Sequence, residues 1–349
     1  MWNLFKLTSF SWLLISTYCW VTALFNQGPI LVVVNVIMIV CLSMMPIKIK
    51  FDYQIGITTV ILILLSIWYV WIDGPVMGLI TFLMYFPVLC LLQLPLEYKK
   101  ELLQFSTKWY AILMIPALII YWLSLLTTVP SVGLFVHPNY KPFINHIFYI
   151  ETTFDYGHFV RFNAFFLEPG HQALLSTFML IANRFRFRKC VWLWPLVLAV
   201  LFSFSLAGYL LLALGFVLLK IDNIWKGIAA GVVFTAIVIG AINLSDGNNA
   251  FYELIIQRLE KDDSQGIKGN NRYFNDTDFI YSKAVKKGDI WGGVKDKTNM
   301  DLVGGAGFKI FIINYGLIGV LLTLLFYLSV IPNHPDYRFT ISFLIVIIL

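Results

Sequence analysis

QIGITTVILILLSIWYVWI (residues 54–72), the joint Asp73-Gly74, and PVMGLITFLMYFPVLCLLQLPLE (residues 75–97) together decide the fold. Each run holds the roughly 20 apolar residues that a helix needs to cross a hydrocarbon core of about 30 Å. The two-residue joint leaves the second run no course but to turn back, so the pair reads as two consecutive membrane crossings. Similar runs recur along all 349 residues. Hydrophobic residues make up 59% of the chain and charged residues 13%, against roughly half and a quarter in soluble domains. The mean hydropathy of +0.80 agrees. The fold class expected is all-α: a polytopic integral membrane protein of about 10–11 transmembrane helices in a single membrane domain, 1–349. The spans fall near 8–26, 28–46, 54–72, 75–97, 109–128, 164–183, 191–204, 206–220, 227–243, 306–330 and 339–349.

Basic residues orient the chain. Lys48 and Lys50 follow span two; Lys99, Lys100 and Lys108 follow span four; Arg184, Arg186, Arg188 and Lys189 follow span six; Lys220 and Lys226 follow span eight. All fall after even-numbered spans, so one orientation places every group, and the N-terminus, in the cytoplasm. The net charge of +6 then reflects topology and gives no nucleic-acid signal. The alternation requires 191–220 to be two short helices broken at Ser203-Phe204-Ser205-Leu206-Ala207-Gly208, and such short helices need local thinning or shielding by neighbours. The outward side carries two long loops, 129–163 and 244–305. The second is a large extracytoplasmic loop with nine Lys/Arg and ten Asp/Glu, too long for positive-inside counting. No cleavage site follows Lys6 and its apolar run, so this reads as a retained first span. The run from 339 stops at Leu349, too short to span, which reads as a truncated sequence or a partial helix. Cys19, Cys41, Cys90 and Cys190 all lie in or beside apolar runs, so no disulfide framework is expected.

Chemistry concentrates in Arg161-Phe162-Asn163-Ala164-Phe165-Phe166-Leu167-Glu168-Pro169-Gly170-His171. Here an Arg, a Glu and a His enter an otherwise apolar helix. A charge at mid-bilayer costs about 2.5–3.5 kcal/mol or more, so such residues face a cavity or a partner. Pro169-Gly170 reads as a helix break lining a cavity or packed on protein. Glu168 and His171, three apart, share a helical face. Glu168 could hold one tautomer of His171, or the two could relay a proton. The plainer alternative pairs Glu168 with Arg161 and locks the loop. In the large loop, Phe251, Leu254, Ile255 and Leu259 recur at helical spacing, as in an amphipathic interfacial helix, and a second helix is expected over 272–287, broken by Gly288, Gly292 and Gly293. Arg258 and Arg272 are candidate diphosphate ligands, because the guanidinium fork matches phosphate oxygens. Lys283, Lys286 and Lys287 read as solvated. Further candidates are His158, Asp289 with Asp296 and Asp301, and Asn314. Asn314 lies in Asn314-Tyr315-Gly316-Leu317-Ile318-Gly319, a small-residue pattern of close helix packing. No phosphate-loop or dinucleotide glycine motif occurs, and no His/Cys cluster has metal-ligand spacing.

Arg-Phe-x-x-Phe-Phe-x-Glu-Pro-Gly-His resembles the Arg-Phe-x-Gly-x-Phe-x-Glu-Pro-Ser/Gly segment of the bacterial O-antigen and capsular polysaccharide polymerases, the Wzy-type proteins. The downstream order fits as well: a basic loop, a Ser-x-x-Gly break at Ser205 to Gly208, an Arg (Arg272) about twenty residues before the pair Gly292-Gly293, and a closing Tyr-Gly-x-Ile-Gly helix. The resemblance covers roughly 150–325. It implies a membrane-embedded glycosyltransferase that joins oligosaccharide units carried on undecaprenyl diphosphate, on the outer face of the cytoplasmic membrane. No metal or cofactor is implied, and the implied partners are a flippase and a chain-length regulator. It would make Glu168 or His171 the base, and Arg161, Arg258 and Arg272 the diphosphate ligands. The chain departs from the pattern at Ala164, where glycine is usual, at Gly170, where serine is common, and in a large loop without histidine. That last absence argues against the sister ligases. A transporter or flippase is the other rival, but it would predict an internal repeat, and none is seen.

Overall fold

A computed structural model describes residues 1–17, 19–20, 27–46, 52–136, 142–152, 161–220, 261–262, 266–267, 275–294, 308–331 and 337–348. The chain is mostly helical. The helices are α1 (Trp2–Ser16), α2 (Gln27–Ser43), α3 (Tyr53–Asp73), α4 (Pro75–Gln93), α5 (Leu96–Ser124), α6 (Pro169–Ala182), α7 (Leu193–Phe202), α8 (Leu206–Lys220), α9 (Asn275–Lys287), α10 (Phe308–Val330) and α11 (Tyr337–Ile348). Among the described residues, four helices are long and apolar enough to cross a membrane: α3, α4, α5 and the Lys309–Val330 stretch of α10. Large apolar side chains such as Val33, Val60, Ile67 and Leu79 face outward from these and neighbouring helices. Such surface is at home in lipid and a liability in water. Among the described residues, two small sheets depart from the expected all-α class. Within 129–163 lie three short antiparallel strands in the order β1 (Gly133–Phe135), β2 (Phe143–Asn145) and β3 (Ile150–Thr152). In the large loop, β4 (Lys261–Asp262) pairs with β5 (Gly266–Ile267). The span 227–243 and the amphipathic helix around 251–259 lie outside the described residues.

The chain forms two compact units, one of residues 1–34, 95–256 and 333–349, the other of 35–94 and 257–332. In the second, α3 and α4 form the expected hairpin. Gly74 makes the turn at φ 91° and Pro75 starts α4. Gly78 lets the two helices close up, since a Cβ there would sit 2.8 Å from the Ser66 carbonyl. Pro87 lies inside α4 and withholds the N–H that would bond the Leu83 carbonyl. The fully buried Asn35 supplies the missing donor, its Nδ2 lying 2.6 Å from that carbonyl. The first unit centres on α5, α6 and α7. Its core joins Tyr110, Met114 and Tyr121 of α5 to Leu175, Met179 and Leu180 of α6 and Leu196 and Val200 of α7.

The start of α5 and the end of α1 depart from expectation. α5 begins at Leu96, continuous through Lys99, Lys100 and Lys108, whereas hydropathy starts the span near 109. Its 29 residues extend about 43 Å, so the basic first turns project beyond the apolar part. α1 ends at Ser16 rather than near 26, and Cys19 then pairs with Phe166 as an isolated antiparallel bridge. The expected break in 191–220 is present between α7 and α8, with Phe204 at φ 46°.

Candidate functional site

The stretch Arg161–Leu167 is not helical, and α6 starts at Pro169 with Glu168 in the N-cap position. This corrects the expected span 164–183 and the reading of Pro169-Gly170 as a break within it. Proline at the first helical position lacks only an N–H that would have had no intrahelical partner, and its fixed φ suits the helix. The apolar side chains that mimicked a span, Phe162, Phe165, Phe166 and Leu167, are all buried within a folded loop.

That loop is tied down by its main chain on three sides. Phe165 accepts from the Trp20 N–H at 2.9 Å, Ala164 accepts from Ile150 at 2.8 Å, and the Phe162 N–H donates to the Phe202 carbonyl at 3.0 Å. Arg161 extends the last contact, donating from Nε to the Ser203 carbonyl and from Nη2 to the Phe204 carbonyl, each at 3.0 Å. Three successive carbonyls at the end of α7, which have no helical partner, thus meet donors from Arg161 and Phe162, and the guanidinium charge suits the negative end of the helix dipole. Arg161 therefore locks the loop, as the plainer reading expected, but through backbone carbonyls. Ser205 caps α8, its Oγ accepting from the Gly208 N–H at 3.3 Å. Gly208 lies where a Cβ would stand 2.6 Å from that of Ala173. Aromatic rings brace the loop from behind: Phe162 stacks on Tyr149 at 6.2 Å and meets Tyr121 edge-on at 5.3 Å.

Glu168 and His171 emerge from this support. The Glu168 carboxylate does not cap α6, and it is 49% exposed. It faces His171 Nε2 at 3.9 Å, with the imidazole 35% exposed. The two groups are close as expected, but Glu168 stands at the non-helical cap and not on a helical face with His171. At that distance the two groups are neighbours without a direct hydrogen bond between them. A half-exposed carboxylate beside an imidazole can accept a proton from a hydroxyl brought between them.

Beneath the pair, buried polar groups join α5 to α6. Gln172 Nε2 donates to Ser176 Oγ at 2.8 Å, Tyr110 Oη lies 3.1 Å from the same Oγ, and Asn183 Nδ2 donates to Thr107 Oγ1 at 2.9 Å. Side-chain bonds of this kind hold helices together where apolar contact gives no preference over lipid. Their sequence signal was the helical spacing of Gln172 and Ser176 in α6 with Asn183 at its C-terminal end. Asn163 is fully buried, and neither end of its amide has a partner among the described residues. A second His–Glu pair also escaped sequence reasoning. His146 Nε2 lies 3.4 Å from Glu151 Oε2, and its Nδ1 lies 2.9 Å from the Pro130 carbonyl. Burial, reinforced by the Glu151 carboxylate, pushes the neighbouring Tyr149 phenol well above its usual range, so that group stays protonated.

The other candidates fall elsewhere. His158, Arg258, Arg272, Asp296 and Asp301 lie outside the described residues. Asp289 is exposed just beyond α9, and Asn314 is half-buried in α10, both in the second unit. Lys283, Lys286 and Lys287 are exposed, as expected of solvated cations, and the helix expected over 272–287 is described from Asn275. Gly316 breaks α10 at φ 70°, ψ 172°. The segment after α9 fills the gap: Leu317 N–H donates to the Ile290 carbonyl at 2.8 Å, Ile318 N–H to Trp291 at 3.3 Å, and Val294 N–H to Ile313 at 2.7 Å. Gly293, at φ 77°, permits the approach. Gly319 faces the Trp68 indole, which donates to the Tyr315 carbonyl at 2.8 Å. The pattern Asn314–Gly319 thus serves packing. Among the described residues no group of three His, Cys, Asp or Glu side chains is placed to hold a metal.

Comparison with known proteins finds no matching family model, no matching curated protein and no matching solved structure.

Proposed function

We propose that this protein polymerises undecaprenyl-diphosphate-linked oligosaccharide units into a surface polysaccharide at the outer face of the cytoplasmic membrane. The observation that carries the reading is the Glu168–His171 pair, half-exposed at the head of a buried helix and held by a loop that is itself fixed on three sides. The chain crosses the membrane about ten or eleven times with its N-terminus in the cytoplasm. The growing chain, on its lipid diphosphate, is the donor, and a hydroxyl at the non-reducing end of the incoming unit is the acceptor. Glu168 or His171 takes the hydroxyl proton as the new glycosidic bond forms. The bond from the anomeric carbon to the diphosphate oxygen breaks, and undecaprenyl diphosphate leaves with that electron pair. Arg161 places positive charge at the root of the same loop, and Arg258 and Arg272 are the further groups suited to the diphosphate. Charge fixed in advance where negative charge accumulates is the usual source of most of the acceleration.

The quoted motif elements support the resemblance through their backbone. Ala164, where those polymerases carry glycine, sits at φ 50°, a conformation that glycine adopts freely and other residues adopt at a cost. Ser205 and Gly208 meet as cap and close contact, and Gly316 takes a conformation open to glycine. The deciding experiment supplies purified protein with lipid-linked repeat units and no other enzyme, and follows chain length on gels. Long chains from the parent protein, and far slower chain growth with Glu168→Gln, are expected. Loss of the lipid-linked units from one leaflet without any polymer would instead identify a transporter.

A further inference from the structure

We propose that the loop between α6 and α7 binds the headgroup of an anionic phospholipid, independently of the reaction above. Arg184, Arg186, Arg188 and Lys189 fall within six residues, and the sequence holds no Asp or Glu between Glu168 and Asp222. The loop is a closed, regular turn. Arg184 N–H donates to Ile181 at 2.8 Å, Phe185 N–H to Leu180 at 3.0 Å, Arg186 N–H to Asn183 at 3.2 Å, and Lys189 N–H to Arg186 at 2.9 Å. Phe185, at φ 50°, is buried in the core of the first unit, and Phe187 packs on Trp194 at 4.7 Å between ring centres. With the two phenylalanines held in, Arg186 and Arg188 are held out, and both are exposed together with Lys189. Arg184 is drawn aside, its guanidinium 4.5 Å from the Phe339 ring centre.

Among the described residues no carboxylate lies within ion-pair reach of Arg186, Arg188 or Lys189. A complement can come from outside the chain. Its chemistry is set by what stands beside them: Val191 is 64% exposed and Trp194 56% exposed, and Lys108 stands 5.8 Å over the Trp192 ring. Exposed indole and aliphatic surface next to these cations, at the start of the apolar helix α7, matches a molecule with a negative head and an apolar tail. Indoles settle at the headgroup level, and basic clusters beside spanning helices attract anionic lipid. A soluble polyanion would use the cations and leave Trp194 and Val191 wet. Because the loop is already ordered, little conformational freedom is lost on binding.

The test uses the full chain in nanodiscs of phosphatidylcholine, with and without phosphatidylglycerol, and reads the melting temperature. Phosphatidylglycerol is expected to raise it by about 5 °C. The gain should shrink in about 1 M salt, where screening acts within about 3 Å. The variant Arg186→Gln/Arg188→Gln/Lys189→Gln should lose most of the gain, while Arg186→Lys/Arg188→Lys should keep it. The proposal is overturned if the triple variant gains as much as the parent. It is equally overturned if inorganic phosphate in pure phosphatidylcholine discs reproduces the gain, which would mark an unspecialised anion site. Should the triple variant not fold, a gain in the parent that salt leaves unchanged overturns it alone. Polymer synthesis is not read, so this result and that of the polymerase assay stand apart.

Discussion

Irregular backbone interrupts α10 at Gly316 and precedes α6 at Arg161–Glu168, and the two segments are closed in different ways. At Gly316 in α10 the gap is filled by the carbonyls and N–H groups of residues 290–294 and by the Trp68 indole, which donates to the Tyr315 carbonyl. At Arg161–Glu168 the loop before α6 is closed by main chain and by one guanidinium, and it ends in a carboxylate and an imidazole that are left half-exposed. Unsatisfied backbone in a membrane costs several kcal/mol per group, so every such break must be compensated. A break compensated by packed backbone and one indole is architecture. A break that is fully tied and still presents ionisable groups has a use for them.

Substitutions at four positions can break or sharpen this contrast. The largest expected effect is on turnover. Glu168→Gln should lower the polymerisation rate by about 10²–10⁴-fold, the usual share of a general base, with an unchanged melting temperature. An equal fall in both would reduce the Arg161–His171 loop to architecture as well. Gly316→Ala should destabilise the fold by roughly 2–4 kcal/mol, through a positive φ and contact with the Trp291 carbonyl, measured by thermal unfolding in detergent. Arg161→Ala removes two bonds from a charged donor to the α7 carbonyls and should cost about 1.5–3 kcal/mol. Arg161→Lys should recover only part of this, because an ammonium cannot reproduce the planar fork. The smallest is a gain: Ala164→Gly relieves the φ of 50° and should add up to about 1 kcal/mol in the same melting assay. A loss there would mean that the methyl group packs better than the backbone suffers.

The sequence showed the charged loop more readily than its shape. Arg161, Glu168 and His171 stood out because ionisable residues among phenylalanines are expensive wherever lipid is near. The start of α6 was hidden, because Phe165, Phe166 and Leu167 are as apolar as a span, and hydropathy cannot tell burial in protein from burial in lipid. The break at Ser203–Ser205 was legible through two serines and a glycine that serve as cap and contact. The early start of α5 was not, since Lys99 and Lys100 weigh against a span although they favour a helix. The strands of 133–152 are three residues each, too short to show alternation. The link of His146 to Glu151 depends on the pairing of those strands, which no local pattern encodes.

Asn35 and Pro87 carry a consequence for the history of the chain. The carbonyl of Leu83 needs a foreign donor only because Pro87 offers none. A lineage that replaced Pro87 with alanine would restore the helical bond and release Asn35 to become leucine. A lineage that lost Asn35 first would carry a bare carbonyl until the proline followed. The two positions, far apart in sequence, should therefore be inherited as one character, with proline ahead of asparagine in any order of loss.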